Sequence, residues 1–134
     1  MRLFLVRHAH AVDGTPDELR PLSDRGRGQA RELAARLAAT LPDVVLSSPL
    51  LRARETADAI ARATGAPLRV DDRLAPGATV DSLLAATGDA NGTVVAVGHQ
   101  PDCSEIAIAL TGGPDPGFAP AGCLEVEVSP DRPA

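Results

Sequence analysis

The chain has 134 residues, a net charge of −5, no lysine, and only Phe4 and Phe118 among the large aromatics. That length suits one domain, read here as residues 1–128 followed by a short tail over 129–134. Without lysine there is no Walker A nucleotide loop. An acidic balance with almost no aromatics offers neither a basic stripe for duplexes nor a stacking platform, so no nucleic-acid partner is expected.

Leu3-Phe4-Leu5-Val6 is a short continuous apolar run. It is too short for a signal peptide and reads as a strand buried on both faces of a parallel sheet. Ser23 suits the cap of a helix carrying Ala30, Leu33, Ala34, Leu37 and Leu41 on one stripe. Val44-Val45-Leu46 is a second strand. Ser48-Pro49 offers a cap and a first-turn proline before a second helix, which runs to Thr64 and ends at Gly65. Leu68-Arg69-Val70 is a shorter strand, and Val80 to Ala86 a third helix. Thr93 to Val97 is another doubly buried strand, followed by a fourth helix from Pro101 to Leu110 that Gly112-Gly113-Pro114 closes. Leu124 to Val128 alternates apolar and acidic residues, as a half-exposed edge strand does. The Gly/Pro-rich stretch 112–122 is irregular and the tail frayed. Strands alternating with helices predict an α/β fold: a three-layer sandwich with a mostly parallel sheet of about five strands and helices on both faces. No run is long enough to span a membrane, and Cys103 and Cys123 make no disulfide framework. The expected setting is cytoplasmic, with no membrane partner.

Ligands of such sheets bind beyond the carboxyl ends of the strands. Three predicted strands are followed there by Arg7-His8-Ala9-His10, by Ser47-Ser48-Pro49-Leu50-Leu51-Arg52, and by Gly98-His99-Gln100-Pro101. All three histidines of the chain fall in these segments. The chemistry that joins arginine to imidazole is phosphoryl transfer. Guanidinium forks match phosphate oxygens, and each contributes roughly 4 kcal/mol at 4 Å and an effective dielectric near 20. A neutral imidazole attacks phosphorus directly. The rival use of His8, His10 and His99 as a metal set lacks a carboxylate to orient them, and the arginines would repel the cation.

These segments resemble the histidine-phosphatase superfamily, which includes the phosphoglycerate mutases. Leu5-Val6-Arg7-His8 is similar to its signature, the Ser48 to Ala57 stretch to its second motif, and Val97 to Pro101 to its third. Arg20-Pro21-Leu22-Ser23 with Gly26 and Gln29-Ala30, and the late Phe118 to Gly122, resemble the short SixA-type phosphohistidine phosphatases. The resemblance implies a phosphoglycerate mutase-like fold and a set of roles. His8 would be the nucleophile. Arg7, Arg52 and His99 would be catalytic and hold the phosphoryl oxygens, and Arg20 would be a further substrate contact. No metal and no cofactor are implied. Inorganic phosphate or sulfate would fill the same site. Larger members carry a glutamate general acid after the third strand, whereas this chain has Pro76 in that region. A missing acid points to substrates with good leaving groups, above all protein phosphohistidine, turned over by a metal-independent phosphatase through a phosphohistidine intermediate. The alternatives are a small-molecule phosphomonoesterase acting on a nucleotide, coenzyme or sugar ester, and a non-catalytic module that binds a phosphorylated partner.

Plainer readings stand beside several of these residues. Arg52 could pair with Glu55, and Arg54, Asp58 and Arg62 could form a solvated ion-pair face. Arg20 could be a solvated loop residue. His10 could border the pocket or donate a proton, or be an outlying or exposed side chain. Asp17 or Glu18 could supply a proton or merely form a salt bridge. Cys103 could carry a thiolate or be a small buried apolar group.

Overall fold

The computed structural model describes residues 1–88 and 90–129. Its strands are β1 (Arg2–Arg7), β2 (Val44–Ser47), β3 (Leu68–Val70), β4 (Thr93–Gly98) and β5 (Cys123–Glu127). Its helices are α1 (Asp24–Leu37), α2 (Leu51–Thr64), α3 (Val80–Thr87) and α4 (Asp102–Thr111). The strands form one sheet in the order β3-β2-β4-β1-β5. Only β5 is antiparallel; it pairs with β1 at the edge, the place where the alternation of Leu124, Val126 and Val128 with Glu125 and Glu127 puts a half-exposed strand.

Successive side chains of a strand point to opposite faces, so each apolar run feeds two cores. Phe4, Val6, Val45, Val95 and Val97 meet Leu33 and Leu37 of α1 and Ile60 of α2 on one face. Leu3, Leu5, Leu46, Val94 and Ala96 meet Leu83 of α3 and Ile106 of α4 on the other. This is the three-layer α/β sandwich expected, with helices on both faces. A fully buried side chain of this size contributes about 1.5–3 kcal/mol, which is how a chain so poor in aromatics holds its core.

Two sequence expectations need correction. The stripe of α1 ends at Leu37, not Leu41. Leu41 lies in the left-handed region at φ 50° and is 74% exposed, because a short turn over 38–40 closes the helix first. The second helix begins at Leu51, with Leu50 at its cap and no side-chain cap bond, so neither Ser48 nor Pro49 starts it. Ser23 does cap α1, accepting from the Gly26 amide at 3.0 Å. The tail read over 129–134 lies, from residue 130 on, outside the described residues.

Gly26 shows how tightly the first turn of α1 is seated. A Cβ there would run into the carbonyl of His10, which already accepts from Ser23 N at 3.0 Å. Gly26→Ala is therefore expected to destabilise the fold by roughly 1–3 kcal/mol, as overpacking does. Urea unfolding checks it, and a variant of unchanged midpoint would show that the contact relaxes freely.

Candidate functional site

Strands β2, β4 and β1 are neighbours and parallel, so the segments that leave them emerge together. The register sets Arg7 opposite Gly98 and Ser47 opposite Val97. Backbone bonds continue past the strand ends, from His8 N to Gly98 O at 2.9 Å and from Ser48 N to Val97 O at 3.0 Å. His8 and His99 come face to tilted face, with ring centroids 5.2 Å apart.

Each side chain of this cluster is held by a definite partner. The Nδ1–H of His8 donates to the Ala9 carbonyl at 2.7 Å, which leaves Nε2 as the nitrogen with a free lone pair. His99 is 4% exposed, and its Nε2 lies 2.7 Å from the Ser48 hydroxyl. Ser48 Oγ accepts from Leu50 N at 3.3 Å, so its own hydrogen is available to His99 Nε2. That network assigns the imidazole proton of His99 to Nδ1, which is buried and unpartnered. The serine read as a helix cap is thus the group that orients His99. Arg7 Nη1 donates to the Phe118 carbonyl at 2.8 Å, and Arg7 N donates to Gly122 O, so the late irregular segment closes over the first.

Arg52 occupies the first turn of α2 and is 7% exposed. It does not pair with Glu55. Its Nη1 donates to the backbone carbonyl of Asp17 at 2.9 Å and its Nη2 to the Asp17 carboxylate at 3.2 Å. The other oxygen of that carboxylate lies 3.2 Å from Arg20 Nε. Asp17 therefore bridges the two arginines and ties the loop to the site. Thr56, fully buried one turn along α2, donates to the Arg52 carbonyl and accepts from Ala9 N at 3.0 Å, locking helix and loop together. Glu55 accepts instead from Leu22 N at 2.8 Å. Of the ion-pair face proposed on α2, only Asp58 with Arg62 forms, and Arg54 Nε is buried without a partner. The roles of Thr56, Ser48, Glu55 and the Phe118 carbonyl left no trace in residue spacing, because each depends on which loops meet.

Burial pushes the His8 imidazole down to about 4. The Ala9 bond opposes this, and the charges of Arg52, Arg7 and Arg20 add to it. Burial likewise pushes His99 down to about 4, helped by His8 and Arg52 and opposed by Asp17. Both rings are thus neutral at neutral pH. An imidazole neutral in the fold but free to charge when unfolded stabilises the fold above pH 6.5 and loses that contribution as the pH falls toward 4. For His99 this is worth about 3 kcal/mol. The melting temperature is expected to fall steeply between pH 6.5 and 4.5. A flat profile there would show that the rings are not buried as neutral groups.

The remaining candidates lie outside this ring. His10 Nδ1 is 2.6 Å from Ser23 Oγ, and His10 N donates to Gln29 at 2.9 Å. The three histidines do not form a metal set, and no group of three metal-type donors is gathered among the described residues. Glu18 is exposed on the same short turn as Asp17. Cys103 is buried, lies 3.6 Å from the Val6 carbonyl and is pushed up to about 12 by burial and by Asp102, so it is a small apolar group. Pro76 is exposed, and the backbone just after it is pinned by Asp102, whose carboxylate accepts from Gly77 N at 2.9 Å and Ala78 N at 3.2 Å. The nearby Asp71 is held at about 2 by its bonds with Arg73, far too low to carry a proton at neutral pH.

The family described as the histidine phosphatase superfamily (branch 1) matches residues 3–76. An uncharacterised protein of Picosynechococcus is 38% identical over 125 residues, covering 84% of this chain and 74% of its own length. Among solved structures, the protein histidine phosphatase SixA in complex with tungstate superposes with a TM-score of 0.84. It is 28% identical, over 95% of this chain and 88% of that one. A proposed phosphohistidine phosphatase SixA from Agrobacterium tumefaciens gives 0.80, at 31% identity over 92% and 89%.

Proposed function

The chain belongs to the histidine phosphatase superfamily, with its likeness in the SixA-type branch, and on that premise we propose that it is a metal-independent phosphatase working through a phosphoryl group on His8. The observation that carries this reading is a set of orphaned donors. Arg7 Nε, Arg52 Nε and His99 Nδ1 are buried with no hydrogen-bond partner, as is Arg20 Nε, which lies 3.2 Å from the Asp17 carboxylate, while Arg54 Nε shares that state on the groove side of α2. Buried N–H groups are satisfied almost everywhere in a folded protein. Several left open around one imidazole await an anion rich in oxygens.

The geometry supports a two-step reaction. Neutral His8 Nε2 attacks phosphorus in line, and its P–N bond forms as the bond to the leaving group breaks. Arg7, Arg52, Arg20 and His99 donate to the non-bridging oxygens, where charge accumulates in the transition state. Water then attacks phospho-His8 and releases phosphate. With His8 pushed down to about 4, the free enzyme keeps its nucleophile neutral well below pH 6. The value of kcat/KM should stay level down to about pH 5 and fall below it. A decline already centred near pH 6.5 would place the imidazole in water.

Among the described residues, the Asp102 carboxylate at this loop is engaged by the Gly77 and Ala78 amides and Asp71 is held at about 2, so neither suits protonation of a departing alkoxide, whereas phosphohistidine leaves as an imidazole that takes a proton on its other nitrogen. Protein phosphohistidine is accordingly the substrate class that fits best. A panel of a phosphohistidine protein, an aryl phosphate and an alkyl phosphate tests this. The first two should exceed the third in kcat/KM by about 10²-fold or more, the usual worth of a general acid. Equal rates on all three would mean that an acid is present after all.

A further inference from the structure

Beside the anion site, α1 and α2 leave an open groove of about 930 Å³ that no step of the reaction uses. Ala30 and Ala34 of α1 and Ala59 and Ala63 of α2 line it, and Leu22, Leu68 and Val70 are its larger apolar side chains. Its rim is arginine. The lining holds four arginines against two acids, and Arg31 and Arg54 have no ion-pair partner among the described residues. Asp58 pairs with Arg62, and Glu55 accepts from Leu22 N. The groove therefore carries unbalanced positive charge on a chain whose net charge is −5.

We propose that this groove docks an acidic amphipathic helix of the phosphorylated protein, and so selects which phosphohistidine reaches His8. The inference rests on the phosphohistidine-protein reading above. Small residues on both walls let a third helix approach closely, with its apolar face on the alanines and its acids against Arg31 and Arg54. An extended segment has less to hold, since the neighbouring edge strand β3 spans only Leu68–Val70. One end of the groove is close along the chain to the residues of the anion site. Leu22 and Glu55 line it, and they lie two residues past Arg20 and one turn past Arg52 on α2.

The test uses two synthetic helical peptides of equal length, each bearing one phosphohistidine, one acidic and amphipathic, the other with its acids changed to lysine. p-Nitrophenyl phosphate reports the anion site alone. The unaltered protein should prefer the acidic peptide by about tenfold in KM at low salt, and the preference should shrink as ionic strength rises. Arg31→Glu should raise KM for the acidic peptide about tenfold, with kcat and the aryl phosphate rate within twofold. Ala59→Leu, which fills the floor without changing charge, should raise KM likewise. Equal KM for both peptides, or a loss shared by the aryl phosphate, overturns the proposal. So does a dimer in solution that Arg31→Glu dissociates, because a second copy would then own the groove. Failure of the phosphatase reading is separate: the unaltered protein would not turn over p-nitrophenyl phosphate at all.

Discussion

His8→Ala is expected to lower kcat by about 10⁶-fold, the scale on which covalent catalysts fail when the nucleophile is removed. The proposed reaction divides one difficult transfer into two, and both steps pass through His8 Nε2. The neighbouring donors of Arg7, Arg52 and His99 would still bind phosphate, so the variant should keep its affinity for inorganic phosphate while losing turnover. Rapid quench of the unaltered protein with labelled substrate should trap acid-labile, base-stable label on the chain, and His8→Ala should trap none. Substantial remaining turnover, or label on another residue, would falsify the assignment. The loss is not one of folding, because His8 is only partly buried and its ring makes a single bond, to the Ala9 carbonyl.

Arg52→Ala should follow, with a loss of about 10³-fold in kcat/KM. Removing a single preorganised donor commonly costs 10²–10³, and a guanidinium fork offers more than one. Arg52 is 7% exposed and is fixed at its two terminal nitrogens by Asp17, which leaves Nε open. Arg52→Lys should recover little, since an ammonium does not reproduce the planar fork. Arg54→Ala, two residues away on the groove side of α2, should change kcat/KM on p-nitrophenyl phosphate by less than about threefold, within the range of surface substitutions. Steady-state kinetics on the three variants give the ranking. If Arg54→Ala proved the more damaging, α2 would be presenting its other face to the anion.

The strands and helices were legible because each rests on local chemistry. Leu3 to Val6, Val44 to Leu46 and Thr93 to Val97 are continuous apolar runs of the length a doubly covered strand requires. The alternation from Leu124 to Val128 likewise marked an edge. The family likeness was legible too, since Arg7-His8, Arg52 and His99 stand in fixed short motifs at strand ends. Local reasoning failed at Ser48 and Leu41. A serine before a proline offers a good helix cap in isolation, but in the fold His99 claims its hydroxyl, and α2 starts three residues later at Leu51.

What the sequence determined by itself was therefore the set of elements and the kind of chemistry, because hydrophobic period and side-chain type are properties of neighbours along the chain. The pairing of Arg52 with Asp17 rather than Glu55, the locking of Ala9 to Thr56, the closing of Phe118 onto Arg7 and the neutral state of both imidazoles belong to the tertiary structure alone. Each joins groups from separate segments, and a hydrogen bond or a desolvated ring is decided by distance in space, which spacing along a chain does not record.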